Sequence, residues 1–216
     1  VRKMAKKYEK IIRKIYPKNV CDIWSALTES KLEIKNNYSD GRLNSAINEN
    51  YIIEILEKRL EGIIKSTQRG WYDFMYKDIP FNIKITKGST DNVWNKKALI
   101  YSLTTNDITK VPYSGNWKTF VSLIQKNKKT KRDYREYYYL VIYKDDRMPI
   151  IKSIIDIVNL RANPTNILQV DWKKEYNNST DYEREISKAH NKLIQIIKKS
   201  GLKKSEDLQY LLDMSC

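Results

Sequence analysis

Tyr8, Ile11, Ile12 and Ile15 fall at helical spacing and stop before Pro17, which predicts a helix over 4–16. A short helix over 20–27 follows, then a polar loop from Lys31 to Leu43. Ile52, Ile53, Leu56, Leu60, Ile63 and Ile64 make one apolar stripe, which predicts a helix over 46–65. From Gly70 to Thr86 the pattern becomes that of two short strands joined by a turn at Lys77-Asp78. That turn pairs Tyr76 with Ile79 and sets Asp73 opposite Asn82. Residues two apart on a strand point the same way, so Asn82, Lys84 and Thr86 share one face.

Beyond the hairpin, Ser89-Thr-Asp-Asn92 has the composition of a helix N-cap before 93–103. A loop over 104–115, a helix over 116–125 and a basic connector over 127–132 come next. Tyr137–Tyr143 reads as a strand from its aromatic and β-branched residues, Lys144–Arg147 as a turn, and Ile150–Val158 as a further strand. Asn163–Asn166 is a loop and Ile167–Trp172 a short strand. A long helix is expected over 181–200, broken by Gly201, with a closing helix over 205–214. No internal repeat or Gly/Pro/Ser-rich linker divides the chain. The expectation is one domain over 1–216, with an N-terminal helical and loop region (1–45), a core (46–172) and C-terminal helices (173–216).

Charge changes the picture. Lys and Arg outnumber Asp and Glu by 41 to 26, for a formal charge of +15. On a chain with folded periodicity this points to a polyanion, usually nucleic acid; the plainer alternative is a proteome rich in Asn, Ile and Lys. Cys21 and Cys216 lie far apart and form no CxxC pattern, which favours a reducing, cytoplasmic setting over a disulfide framework. No apolar run reaches membrane-spanning length, so no membrane partner is expected, and the basic first residues lack a signal-type apolar core. His190 is the single histidine, which argues against histidine-cluster metal sites.

Against that background a few residues stand out. Glu49 sits in the apolar stripe, near the start of its helix; it either lines a cavity or is a helix-start acid that favours the dipole. Asp73 is a lone acid among aromatic strand residues, suited to a divalent cation, or else a surface residue beside a turn. Lys84 lies between Ile83 and Ile85, where a buried ammonium needs an anion such as Asp73 or a phosphate; the alternative is an edge lysine that blocks aggregation.

A helix-borne Glu, a strand Asp and an acid-x-Lys on the next strand resemble the PD-(D/E)xK nuclease core. Trp71-Tyr-Asp73-Phe and Pro80-Phe-Asn-Ile-Lys84-Ile-Thr resemble its restriction-endonuclease branch, and Asn163–Trp172 is similar to segments of small type II restriction enzymes. The resemblance covers 46–103 well, 137–172 loosely and the ends hardly at all. It implies an α/β (mixed α+β) fold: a central mixed β-sheet with an antiparallel active-site hairpin, flanked by helices. It implies Mg²⁺-dependent, site-specific hydrolysis of double-stranded DNA by a homodimer, with a companion DNA methyltransferase acting on the same site. Glu49, Asp73, Asn82 and Lys84 would be the catalytic set, with Asp73 and Glu49 on the metal. One departure is plain: the acid before x-Lys is Asn82, which offers a carbonyl and no charge. The missing carboxylate is then expected from Glu49, with Glu54 the other candidate. Without it the protein would be a non-catalytic DNA-binding relative; a repair or recombination nuclease without site specificity is a further alternative.

Lys87, Lys96, Lys97, Lys128, Lys129, Lys131 and Arg132 are candidates for phosphate contact, which positions DNA without choosing sequence. Arg161, Asn163 and Asn166, with Asn36, Asn37, Arg42 and Asn44, have the side chains that read base edges.

Overall fold

The strand Tyr138–Tyr143 is buried along its whole length, which suits a strand with a parallel neighbour and cover on both faces. The computed structural model describes residues 2–34, 41–67, 70–88, 90–92, 96–111, 117–132, 135–165, 167–183 and 185–212. Among them are eight strands: β1 (Ile63–Lys65), β2 (Phe74–Tyr76), β3 (Ile79–Thr86), β4 (Thr90–Asn92), β5 (Tyr138–Tyr143), β6 (Ile150–Ser153), β7 (Leu160–Ala162) and β8 (Leu168–Asp171). The helices are α1 (Arg2–Ile15), α2 (Lys18–Thr28), α3 (Gly41–Glu57), α4 (Lys96–Leu103), α5 (Trp117–Gln125), α6 (Trp172–Asn177) and α7 (Ile186–Leu212).

A mixed five-stranded sheet runs β1-β2-β3-β5-β6. β1, β2 and β3 are antiparallel, β3 and β5 parallel, and β6 antiparallel to β5. The β2–β3 hairpin turns at Lys77 and Asp78, whose φ values of 48° and 64° are those of a type I′ turn that matches strand twist. Phe74 and Phe81 pair across the hairpin with stacked rings 4.9 Å apart. A second, three-stranded antiparallel sheet runs β4-β8-β7.

Helices flank both faces of the larger sheet. Adjacent residues of β5 point to opposite sides. Tyr138 meets Tyr16, just beyond α1, in an edge contact at 5.1 Å, and Tyr139 meets Trp172 of α6 at 5.8 Å. The Tyr8 hydroxyl on α1 donates to the carbonyl of Ile151 at 2.6 Å and accepts from its N–H at 2.7 Å, tying α1 to β6. α3 packs on β1 and β3. Between β6 and α6 lies a buried ion pair, Lys152 Nζ to Glu175 Oε1 at 3.0 Å, with both side chains fully buried. Among the described residues, no helix is long and apolar enough to cross a membrane.

Several boundaries differ from the sequence expectation. The helix carrying Glu49 starts at Gly41 and ends at Glu57, so Ile63 and Ile64 form strand β1 and are not a further helical turn. Gly62, at φ 91°, makes the reversal between them. Thr90–Asn92 is a strand, not a helix cap. The expected strand over 150–158 stops at Ser153 and continues as a 3-10 turn over Ile154–Asp156. α6 and β7 were not anticipated, and α7 runs straight through Gly201.

Candidate functional site

Regular β2–β3 pairing stops one residue short of the expected Asp73–Asn82 pair. Asp73 N–H donates to the carbonyl of Phe81 at 2.8 Å, and its own carbonyl accepts from Ser66 N–H at 2.9 Å. Its side chain then does what the departing strand no longer does: Oδ2 accepts the backbone N–H of Ile83 at 2.6 Å. Strand N–H groups lie in the plane of the sheet, so this carboxylate sits at the edge of β3, at the residue between Asn82 and Lys84. The approach to Asp73 is fixed by aromatic packing. Trp71 contacts Tyr101 at 5.0 Å and stacks on Tyr137 at 5.8 Å, and the Tyr137 hydroxyl donates to the Trp71 carbonyl at 2.9 Å.

Glu49 approaches from α3. It is half-buried, and Ser45, one turn earlier, donates its hydroxyl to Oε1 at 2.9 Å. Because α3 begins at Gly41, Glu49 lies beyond the first turn, and the expected N-terminal dipole role does not apply to it. Burial pushes the Asp73 carboxyl up to about 6; the Ile83 N–H opposes that rise, the nearby Glu49 charge adds to it, and the Lys84 ammonium opposes it. Glu49 and Lys84 therefore both act on the Asp73 carboxyl, although the three come from a helix, a strand start and the neighbouring strand. Lys84 is half-buried, and no salt bridge joins it to a described residue. Asn82 Oδ1 is buried and has no hydrogen-bond partner among the described residues.

The donor set is two carboxylates and one unpartnered amide oxygen, all hard oxygen ligands of the kind Mg²⁺ takes. Among the described residues no group of three or more His, Cys, Asp or Glu side chains could hold a metal. Ser45 and the Ile83 N–H were not singled out from the sequence. The first is a hydroxyl four residues before Glu49, a legible helical spacing; the second is visible only once the hairpin is folded.

The basic candidates separate by burial. Lys87, Lys128 and Lys131 are exposed, and Lys97 is half-buried at the start of α4. Lys96 is half-buried with its ammonium 5.8 Å from the Phe120 ring. Lys129 is buried and donates to the Arg135 carbonyl. Arg132 lies inside the fold, paired through Nε with Glu136 at 3.0 Å and through Nη2 with buried Asp156. Both therefore brace the protein from within. Arg161 is exposed and paired with Asp171 at 2.6 Å. Asn163 caps its own loop, accepting from Thr165 N–H at 2.8 Å, and Asn44 is buried. Asn36, Asn37 and Asn166 lie outside the described residues, as does the side chain of Arg42. No protein-family model, curated protein or solved structure matches this chain at a significant level.

Proposed function

We propose that the protein is a Mg²⁺-dependent endonuclease of the PD-(D/E)xK type that hydrolyses phosphodiester bonds of double-stranded DNA at a specific site. The observation that carries this reading is that Glu49 and Lys84 both act on the Asp73 carboxyl, which is bonded to the Ile83 N–H between Asn82 and Lys84. The mixed sheet and its flanking helices agree with the fold this chemistry implies.

Asp73, Glu49 and Asn82 Oδ1 would hold the cation, which supplies Lewis-acid polarisation of the phosphate and a more acidic water. The residues supply the rest. Asp73 must be ionised to serve as a ligand, and the Ile83 N–H fixes its orientation. Ser45 orients Glu49. Lys84, with no salt bridge to a described residue, stabilises negative charge on the phosphate or orients the attacking water. Exposed lysines and the charge of +15 hold the polyanion. A homodimer would present two such sites to a two-fold symmetric target, with a methyltransferase protecting that target in the host.

Digestion of unmethylated plasmid and phage DNA separates the alternatives. Discrete fragments that require Mg²⁺ and are abolished by Asp73→Asn support the site-specific enzyme. A Mg²⁺-dependent smear supports a repair-type nuclease. Intact DNA with salt-sensitive binding supports the non-catalytic relative, the reading favoured by a site with two carboxylates in place of three.

A further inference from the structure

Among the described residues, the smaller sheet has one covered face and a second face on which Arg161 is exposed. Leu168 and Val170 of β8 are fully buried, and β7 and β8 both pack on α7. The residue between them, Gln169, points the other way and is half-buried. Its cross-strand partner is Arg161 of β7, so the two stand side by side on the second face. β7 is the outer strand of the sheet, with β8 its neighbour.

Arg161 is held without being hidden. One guanidinium nitrogen pairs with Asp171 Oδ2 at 2.6 Å, while about half of its side chain surface stays exposed at 51%. Asp171 is itself fixed, since its other oxygen caps α6 by accepting Lys174 N–H at 3.1 Å. The far end of the ribbon is pinned as well. Buried Ser200 of α7 accepts the N–H of Asn163 at 3.1 Å and donates to the Ile167 carbonyl. The ribbon is thus braced at both ends with a planar five-donor group on its second face.

Its position relative to the candidate site is also set. The Tyr143 hydroxyl donates to the Trp172 carbonyl at 2.8 Å, which anchors the end of β8 at the end of β5. Tyr143 pairs with Thr86, two residues beyond Lys84 on β3, a separation of about 7 Å along a strand. The ribbon is therefore tied to the part of the larger sheet that carries Lys84. The major groove admits a β-ribbon, and an arginine fork matches the O6 and N7 acceptors of guanine.

We propose that Arg161, oriented by Asp171 on the second face of the β7–β8 ribbon, reads a guanine edge in the major groove, with Gln169 flanking it. This inference rests on the duplex-cleaving reading above and adds a specificity-determining residue to it. The test is cleavage of a randomised duplex library by wild type, Arg161→Lys and Arg161→Ala, with the products sequenced and base preference taken as a ratio at each position. The wild type is expected to require guanine at one position. Both variants are expected to lose that preference by roughly ten- to a hundredfold while keeping the preferences elsewhere. Arg161→Lys keeps a cation beside Asp171 and so guards against a folding artefact, but it lacks the fork. Retained guanine preference in Arg161→Ala, or equal weakening at every position in both variants, assigns Arg161 to a phosphate or structural contact and overturns the proposal alone. A wild type that cuts without preference, or does not cut, overturns the proposal together with the function beneath it.

Discussion

Asp73 is the residue on which the proposed chemistry turns, because it is half-buried and hydrogen-bonded to backbone, yet would have to be an anion to hold a cation. Its carboxyl is pushed from an ordinary 3.8 up to about 6, chiefly by burial. An acid whose folded value is raised favours the folded state fully below the unfolded value, and that favour is lost as pH rises through the folded value. Stability should therefore decline between about pH 4 and pH 6 from this group and stay level above it. Asp73→Asn keeps an acceptor for Ile83 N–H and removes the charge. Urea denaturation should find the variant more stable than wild type at pH 8, by up to about 3 kcal/mol, with the difference vanishing near pH 4. Mg²⁺ should raise the melting temperature of wild type at pH 8, lose that effect as pH falls below 6, and leave Asp73→Asn unmoved. A cation effect that survives in Asp73→Asn would remove Asp73 from the metal site.

At the scale of elements, the β2–β3 hairpin shows where sequence is informative. Strand periodicity and the Lys77-Asp78 turn together located Asp73, Asn82 and Lys84, because both are local properties of the chain. The turn also carries strain, since Asp78 adopts φ 64° where glycine is preferred. Asp78→Gly should stabilise the protein by about 1 kcal/mol in thermal unfolding, with no change in Mg²⁺ response; a loss of stability would mean the Asp78 side chain has a role of its own. Elsewhere local signals misled. Ile63 and Ile64 continue the spacing of Leu56 and Leu60, which extends the expected helix over β1, whereas α3 ends at Glu57 and Gly62 turns the chain into β1. Gly201 marks a helix break in sequence, but a glycine in a helix costs only about 1 kcal/mol, and α7 is held by Leu193 and Ile197 before it. Asp171 did advertise α6, as an acid three residues before the N–H it caps.

At the scale of the whole molecule, the parts that sequence could not reveal are contacts between distant segments. Lys129 and Arg132 look like surface cations in a basic connector; the acid that draws Arg132 inward, Asp156, lies far along the chain. Lys152 and Glu175 likewise join β6 to α6 through the interior. Lys152→Met should cost about 3–5 kcal/mol in urea denaturation because it leaves the buried Glu175 carboxylate without its cation, and adding Glu175→Gln, which keeps an acceptor for the Val158 and Asn159 N–H groups, should recover part of that loss. No recovery in the double variant would mean the pair is needed for more than mutual neutralisation. The overall charge of +15 points to a polyanion as the proposed partner, and the edge of β3 is where the proposed chemistry rests. The most direct test is digestion of unmethylated duplex DNA by wild type and Lys84→Ala, each with and without Mg²⁺. Discrete fragments from wild type with Mg²⁺ alone, and a rate reduced by a hundredfold or more in Lys84→Ala, are the expected result. Intact DNA under every condition, or equal cleavage by Lys84→Ala, would contradict the assignment of this site.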